Sequence, residues 1–241
     1  MSPEAGPFEA FYASPLQHPG LLWLAAAAAL AWCATRRGLA PSARRYCFAL
    51  VVLSLADAWL TANHVVGLGA LPAWAAGAVP IFFVLAGDFR FLLLLGAATA
   101  GGGIEPSARR GLAAAGLTLV VPIASQAVVR ALPDALGAQP RVLFLVYELG
   151  FLLLTLGLLR WHPGPRSVPW LVPVARFVLL YYGLWAGADA LILATGSDLG
   201  FVLRVVPNVL YYGGLIAVIA TAAAQARKSA TAAFHAPGSS K

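Results

Sequence analysis

Charge is what this 241-residue chain has least of. Only 10% of its residues are Asp, Glu, Lys or Arg, while 61% are hydrophobic. A soluble domain carries about 25% charged residues. So little charge leaves too much apolar surface for water, and the chain is read as a polytopic membrane protein with the lipid bilayer as its solvent. Cysteine is scarce as well. Cys33 and Cys47 form no CxxC and no Cys/His spacing of a zinc site. There are four histidines, and His64 is the one expected to be intramembrane. A metal site needs at least three ligands, so no metal and no other cofactor is expected. The sequence has no P-loop, no GxSxG and no HExxH. Lysine is limited to Lys228 and Lys241, beyond the last apolar run, which excludes a retinal Schiff base within a helix.

What is present is a series of apolar runs. Seven are expected as spans, at about 17–35, 46–65, 72–99, 111–131, 141–160, 168–194 and 199–225, each near the roughly 20 residues that cross a bilayer core. Residues 1–15 are expected to be a flexible segment, 16–225 the membrane domain, and 226–241 a flexible cytoplasmic tail. Glu4 and Glu9 precede the first run and no basic residue does, so a retained first helix is expected, not a cleaved signal. The net charge of +7 comes from arginines at the ends of apolar runs, not from one patch, which speaks against nucleic acid. Arg36, Arg37, Arg44, Arg45, Arg109, Arg110, Arg160, Arg166, Arg227 and Lys228 share one side if the N-terminus is outside and the C-terminus cytoplasmic. Arginine far exceeds lysine in an Ala- and Gly-rich chain, a bias that fits a GC-rich bacterial gene and hence an inner membrane.

Two stretches echo each other. RRYCFALVVLSLADAWL begins at Arg44, and RFVLLYYGLWAGADALI begins at Arg176. Each has an arginine thirteen residues before an aspartate that lies between two alanines. Pro80 and Pro207 are each followed by a glycine seven residues on, Gly87 and Gly214. Helices 1 to 3 would then match helices 5 to 7, with helix 4 as linker: an all-α seven-helix bundle with a parallel 3+1+3 pseudo-repeat. This layout resembles that of the SWEET sugar transporters and their PQ-loop relatives in topology alone. No Pro-Gln pair occupies the equivalent helices, so no family residue is carried over. A second echo, PSARR at 41–45 and 106–110, is read as two similar entry sequences.

Ionisable side chains inside lipid cost roughly 2.5–3.5 kcal/mol each on insertion scales, so each needs a partner or a purpose. Four acids lie within spans: Asp57, Asp88, Glu148 and Asp189. At 1.5 Å per residue, Asp57, Glu148 and Asp189 come to one level, about 20 Å above their arginines, with Asp88 deeper. Arg204 is the expected partner of Asp189, and Asn208 lies one turn deeper on the same face. Asn63 and His64 are candidates at the outer end of helix 2. Arg90 is expected to snorkel toward the cytoplasm. Gly183 and Gly187 form a GxxxG step for close packing, within the bundle or between copies of a homo-oligomer. The pattern points first to a small proton-linked carrier of a polar solute, with the acids as proton or cation sites. An intramembrane enzyme on a lipid or isoprenoid, using Asp57 and Asp189 as acid and base, is the alternative, and a non-catalytic membrane subunit a third.

Overall fold

The computed structural model describes residues 6–62 and 72–235. Asn63 and His64 lie outside these, so their expected place at the end of helix 2 is not part of the description. The described residues are helical almost throughout, with a single antiparallel bridge between Ala98 and Ile104. In order they form α1 (Pro7–Tyr12), a kinked turn (Leu16–Leu21), α2 (Leu22–Thr35), α3 (Pro41–Leu60), α4 (Ala73–Ala97), α5 (Ala108–Thr118) and α6 (Val120–Ala131). Then follow α7 (Asp134–Gly137), α8 (Pro140–Trp161), α9 (Pro163–Ser167), α10 (Leu171–Thr195), α11 (Leu199–Val209), a π-turn (Leu210–Gly214) and α12 (Leu215–His235).

Six of these stretches are long and apolar enough to cross a membrane: Leu16–Thr35, Trp74–Ala97, Ala108–Ala131, Pro140–Trp161, Leu171–Thr195 and Leu199–Phe234. Together they give the chain a multi-pass membrane location. The seventh expected span, α3, is 20 residues long, but Arg44, Arg45 and Asp57 lower its apolar character. The sequence explains where the helices start and stop. Proline stands at the first position of α3 and α8, where its missing N–H is no loss. Gly196 ends α10 in the left-handed conformation, φ 66°, which glycine adopts without strain. Between α5 and α6 the helix breaks at Leu119, one residue after the carbonyl that the ring of Pro122 would meet.

Each long helix packs on its neighbours in the chain, and the last returns to the first. α2 lies on α3, α4 on α5, α6 on α8, α8 on α10, and α10 on α11 and α12. The π-turn packs back against α2, closing the ring. That closure is tight. A Cβ placed on Gly213 would stand 2.4 Å from the carbonyl oxygen of Ala25, so only glycine fits. The outer surface is apolar: Leu24, Trp74, Leu112 and Leu153 are all well exposed. The charges are inside, with Asp189 at 0% and Asp88 at 1% exposure. This inversion of the soluble pattern is what a lipid solvent selects.

Three differences from the sequence reading concern the ends and a glycine pair. Residues 7–12, within the segment expected to be flexible, form α1 against α11, and the backbone N–H groups of Phe8 and Glu9 donate to Asp198 at 2.8 and 2.7 Å. α12 runs on through 226–235, where a tail was expected. Gly183 and Gly187 meet nothing within 4 Å, so their GxxxG step faces outward and does not pack the bundle.

Candidate functional site

Two groups of buried charge fill the bundle. The first is a quartet from α8, α10 and α11. Arg141 Nη1 donates to Asp189 Oδ1 at 2.8 Å, and Arg204 Nη1 pairs with Asp189 Oδ2. Arg204 also reaches Glu148 Oε1 at 3.4 Å. Two guanidinium groups thus face two carboxylates. Around them, Arg204 Nε donates to the Tyr12 hydroxyl at 3.3 Å, and Asn208 Nδ2 reaches the same oxygen at 3.5 Å. Trp185 Nε1 donates to Asn208 Oδ1 at 2.8 Å. The Arg141 guanidinium lies 4.5 Å from the centroid of the Phe201 ring. Two carboxylate oxygens are buried and accept no hydrogen bond: Asp189 Oδ2, which is met by its ion pair with Arg204, and Glu148 Oε2, which is met by nothing.

The second group is a triad from α3 and α4: Asp57, Asp88 and Arg90. Arg90 is 3% exposed and does not snorkel; that expectation is corrected. Its Nη2 donates to the Tyr211 carbonyl at 2.7 Å, its Nη1 reaches Ser54 Oγ at 3.4 Å, and its Cζ stands 4.0 Å from the Tyr211 ring centroid. The Tyr46 hydroxyl donates to the Arg90 carbonyl. The π-turn supplies the reason for the reversal. It presents the Tyr211 carbonyl and ring to the bundle interior, where a guanidinium gains a charge-assisted bond and a cation–π contact together. Asp88 accepts from the hydroxyls of Tyr147 and Tyr182. Asp57 is buried, and the Thr61 hydroxyl reaches its Oδ1 at 3.4 Å. The Thr61 hydroxyl donates to the Asp57 carbonyl at 2.6 Å and contacts His18 Nε2 at 3.1 Å.

Between the two groups stands a wall of rings. Tyr181, Tyr182, Trp185 and Tyr211 touch with centroids 4.9 to 5.8 Å apart. Trp185 joins wall to quartet through Asn208, while Tyr182 and Tyr211 join it to the triad.

The expected partnership of Asp189 with Arg204 is present, and Asn208 lies beside it. Glu148 shares the same arginine. Asp57 does not join Asp189: among the described residues no hydrogen bond or ion pair links the two aspartates. Depth counted along a helix gave their level but not their facing. Arg141, Tyr12, Tyr147 and Tyr182 were missed. Arg141 looks like a loop charge by position. Tyr182, Trp185 and Asp189 fall at i, i+3 and i+7, a helical stripe that could have been read as one polar face.

Among the described residues no group of three His, Cys, Asp or Glu side chains could hold a metal ion. Two surface hollows, of about 450 and 310 Å³, lie at the basic end of the bundle, away from both charge groups. No protein-family model, no curated protein sequence and no solved structure matches this chain. Function therefore has to be argued from the site itself.

Proposed function

We propose that this protein is a small proton-linked membrane carrier for a polar solute. The observation that carries the proposal is the unpartnered Glu148 Oε2, buried beside Arg204 and Asp189. Buried polar atoms in folded proteins are almost always hydrogen-bonded. An acceptor left open in an otherwise saturated cluster marks where the donor group of a solute binds. Asn208 and Tyr12 would orient its remaining polar atoms. The triad supports the proton link. With all three side chains ionised, Asp57, Asp88 and Arg90 sum to one negative charge, and a net charge deep in a bundle favours uptake of one small cation.

In this reading α3 is a seventh span, since it is 20 residues long and its deep charge, Asp57, is partnered. The N-terminus is outside and the C-terminus cytoplasmic, in a bacterial inner membrane. The 3+1+3 repeat remains part of the proposal, with Asp57 and Asp189 as the equivalent aspartates of helices 2 and 6. Pro80 and Pro207 would be the hinges on which one three-helix unit rocks against the other.

The test is uptake into proteoliposomes under an imposed pH gradient, with a panel of small polar solutes. At least one solute should accumulate with the wild type and not with Glu148→Gln. Uptake that ignores both the pH gradient and Glu148→Gln, for every solute, would remove the proposal. Orientation is tested separately, with cysteine introduced at Gly196 or Ser107 and an impermeant thiol reagent on intact cells. Only Gly196→Cys should label.

A further inference from the structure

The basic end of the bundle carries positive charge that nothing nearby balances. Every ion pair among the described residues belongs to the quartet, at the far end of these helices. Among the described acids only Glu105 lies in the loops of the basic end. Contacts between loops gather the arginines there. Arg227 Nη1 donates to the Leu39 carbonyl at 3.4 Å, Ile104 N to Ser42 Oγ at 3.2 Å, and Trp170 Nε1 to the Thr99 carbonyl at 2.7 Å.

Within this surplus one hollow is lined by three cations. Its volume is about 310 Å³ and its walls are Trp32, Thr35, Arg36, Arg37 and Lys228. The walls are held in place. Trp32 Nε1 donates to Thr221 Oγ1 at 3.0 Å, and the Arg36 guanidinium lies 5.1 Å from the Trp32 ring centroid. The loop turns at Gly38, φ 80°, and the stem of Lys228 lies against that turn, 3.4 Å from where a Cβ would be. The carbonyls of Ala34 and Arg36, at the end of α2, accept from Arg44 at 3.4 and 3.2 Å. With those acceptors occupied, the hollow offers donors and positive charge. Its position matters as much as its charge. Trp32 is 44% exposed at the end of the span Leu16–Thr35, and Leu24, eight residues back, continues the exposed apolar face along α2.

We infer that this hollow binds the phosphodiester headgroup of an anionic membrane lipid, with the acyl chains lying along α2 past Trp32. Two arginines and a lysine around one opening suit a phosphate, since guanidinium groups bind its oxygens in pairs and an ammonium adds a point charge. A tryptophan at the boundary places the hollow at headgroup level. The apolar face below selects a lipid over a free anion. The inference needs only the membrane location and is independent of the carrier proposal.

Native mass spectrometry of the full chain in neutral detergent tests it, with phosphatidylglycerol and phosphatidylcholine as probes. Phosphatidylglycerol should bind about tenfold more tightly than phosphatidylcholine. The triple change Arg36→Gln, Arg37→Gln, Lys228→Gln should remove about that factor, and Arg36→Lys with Arg37→Lys should keep most of it. The pair Arg160→Gln and Arg166→Gln, elsewhere on the basic end, should leave it unchanged, and millimolar inorganic phosphate should not displace the lipid. Equal phosphatidylglycerol binding by wild type and triple variant overturns the site. Equal weakening by the Arg160 and Arg166 pair overturns it in favour of diffuse attraction. Displacement by phosphate overturns the lipid in favour of a free anion. If the triple variant does not fold, the exposed single change Arg37→Gln decides: about threefold weaker binding supports the site, and none overturns it.

Discussion

The quartet and the triad bury similar chemistry in different ways. In the quartet, charge is met by charge: Arg141 and Arg204 face Glu148 and Asp189. In the triad, Arg90 is the one cation beside two aspartates, and the hydroxyls of Tyr147, Tyr182 and Thr61 supply the carboxylates' hydrogen bonds. Counter-charges hold a carboxylate ionised. Hydroxyls can serve an ionised or a neutral carboxyl, because the O–H rotates to suit. The quartet is therefore balanced in charge, and the triad carries one acid more than it has cations. The quartet has redundancy, two guanidinium groups on Asp189. The triad has none.

That contrast predicts a hierarchy of damage. Arg90→Ala should be the worst change, costing about 3–5 kcal/mol, because it strands two buried acids. Thermal unfolding in detergent measures it, and a loss no greater than that of Arg204→Ala would erase the distinction. Next is Gly87→Ala. A Cβ there would stand 1.5 Å from the Tyr211 hydroxyl oxygen, pushing the ring from beneath Arg90. Overpacking of this kind costs about 1–3 kcal/mol, and this clash belongs at the upper end. Gly183→Ala, which meets nothing, is the control and should leave the midpoint in place.

Arg204→Ala should cost about 3 kcal/mol, the low end for breaking a buried pair, because Arg141 still holds Asp189 while Glu148 loses its ion-pair partner. Adding Asp189→Asn should recover part of that loss. If single and double variants are equally unstable, the two side chains do not interact. If the double variant is stable but takes up no solute, the quartet is functional and not merely structural. The smallest effect belongs to Tyr12→Phe. It removes one hydroxyl that serves Arg204 and Asn208, worth about 1 kcal/mol. Its mark should be functional, as a changed solute affinity with little change in melting. A large stability loss would instead make Tyr12 part of the core.

Much of this was legible in the sequence. Six of the seven expected spans and the burial of four acids follow from composition and run length, because the energy of a charge in lipid leaves few alternatives. The Asp189–Arg204 pair was legible because a very short connection puts the end of α10 beside the start of α11. What was not legible depended on rotation about helix axes. The level of Asp57 could be counted, but a helix turns by about 100° per residue, and facing decides partners. Arg90 was misplaced for a different reason. Its acceptor is a backbone carbonyl of the π-turn after Pro207, and no side-chain pattern announces a carbonyl.

The grip of Asp198 on α1 has a consequence in time. Its carboxylate binds the N–H groups of Phe8 and Glu9 across 190 and 189 residues of chain. Ribosomes extend chains at about 5–20 residues per second, so the N-terminal helix waits roughly 10–40 s for its anchor. Tyr12 cannot settle on Arg204 any sooner. The quartet draws its arginines from positions 141 and 204 and its cover from position 12, so it is completed only once the final hairpin has been inserted. During synthesis the first helix must remain in the bilayer with its leading segment unattached, held by hydrophobicity alone. A chain stopped before Asp198 would contain most of the helices and three members of the quartet, but neither Arg204 nor the anchor of α1.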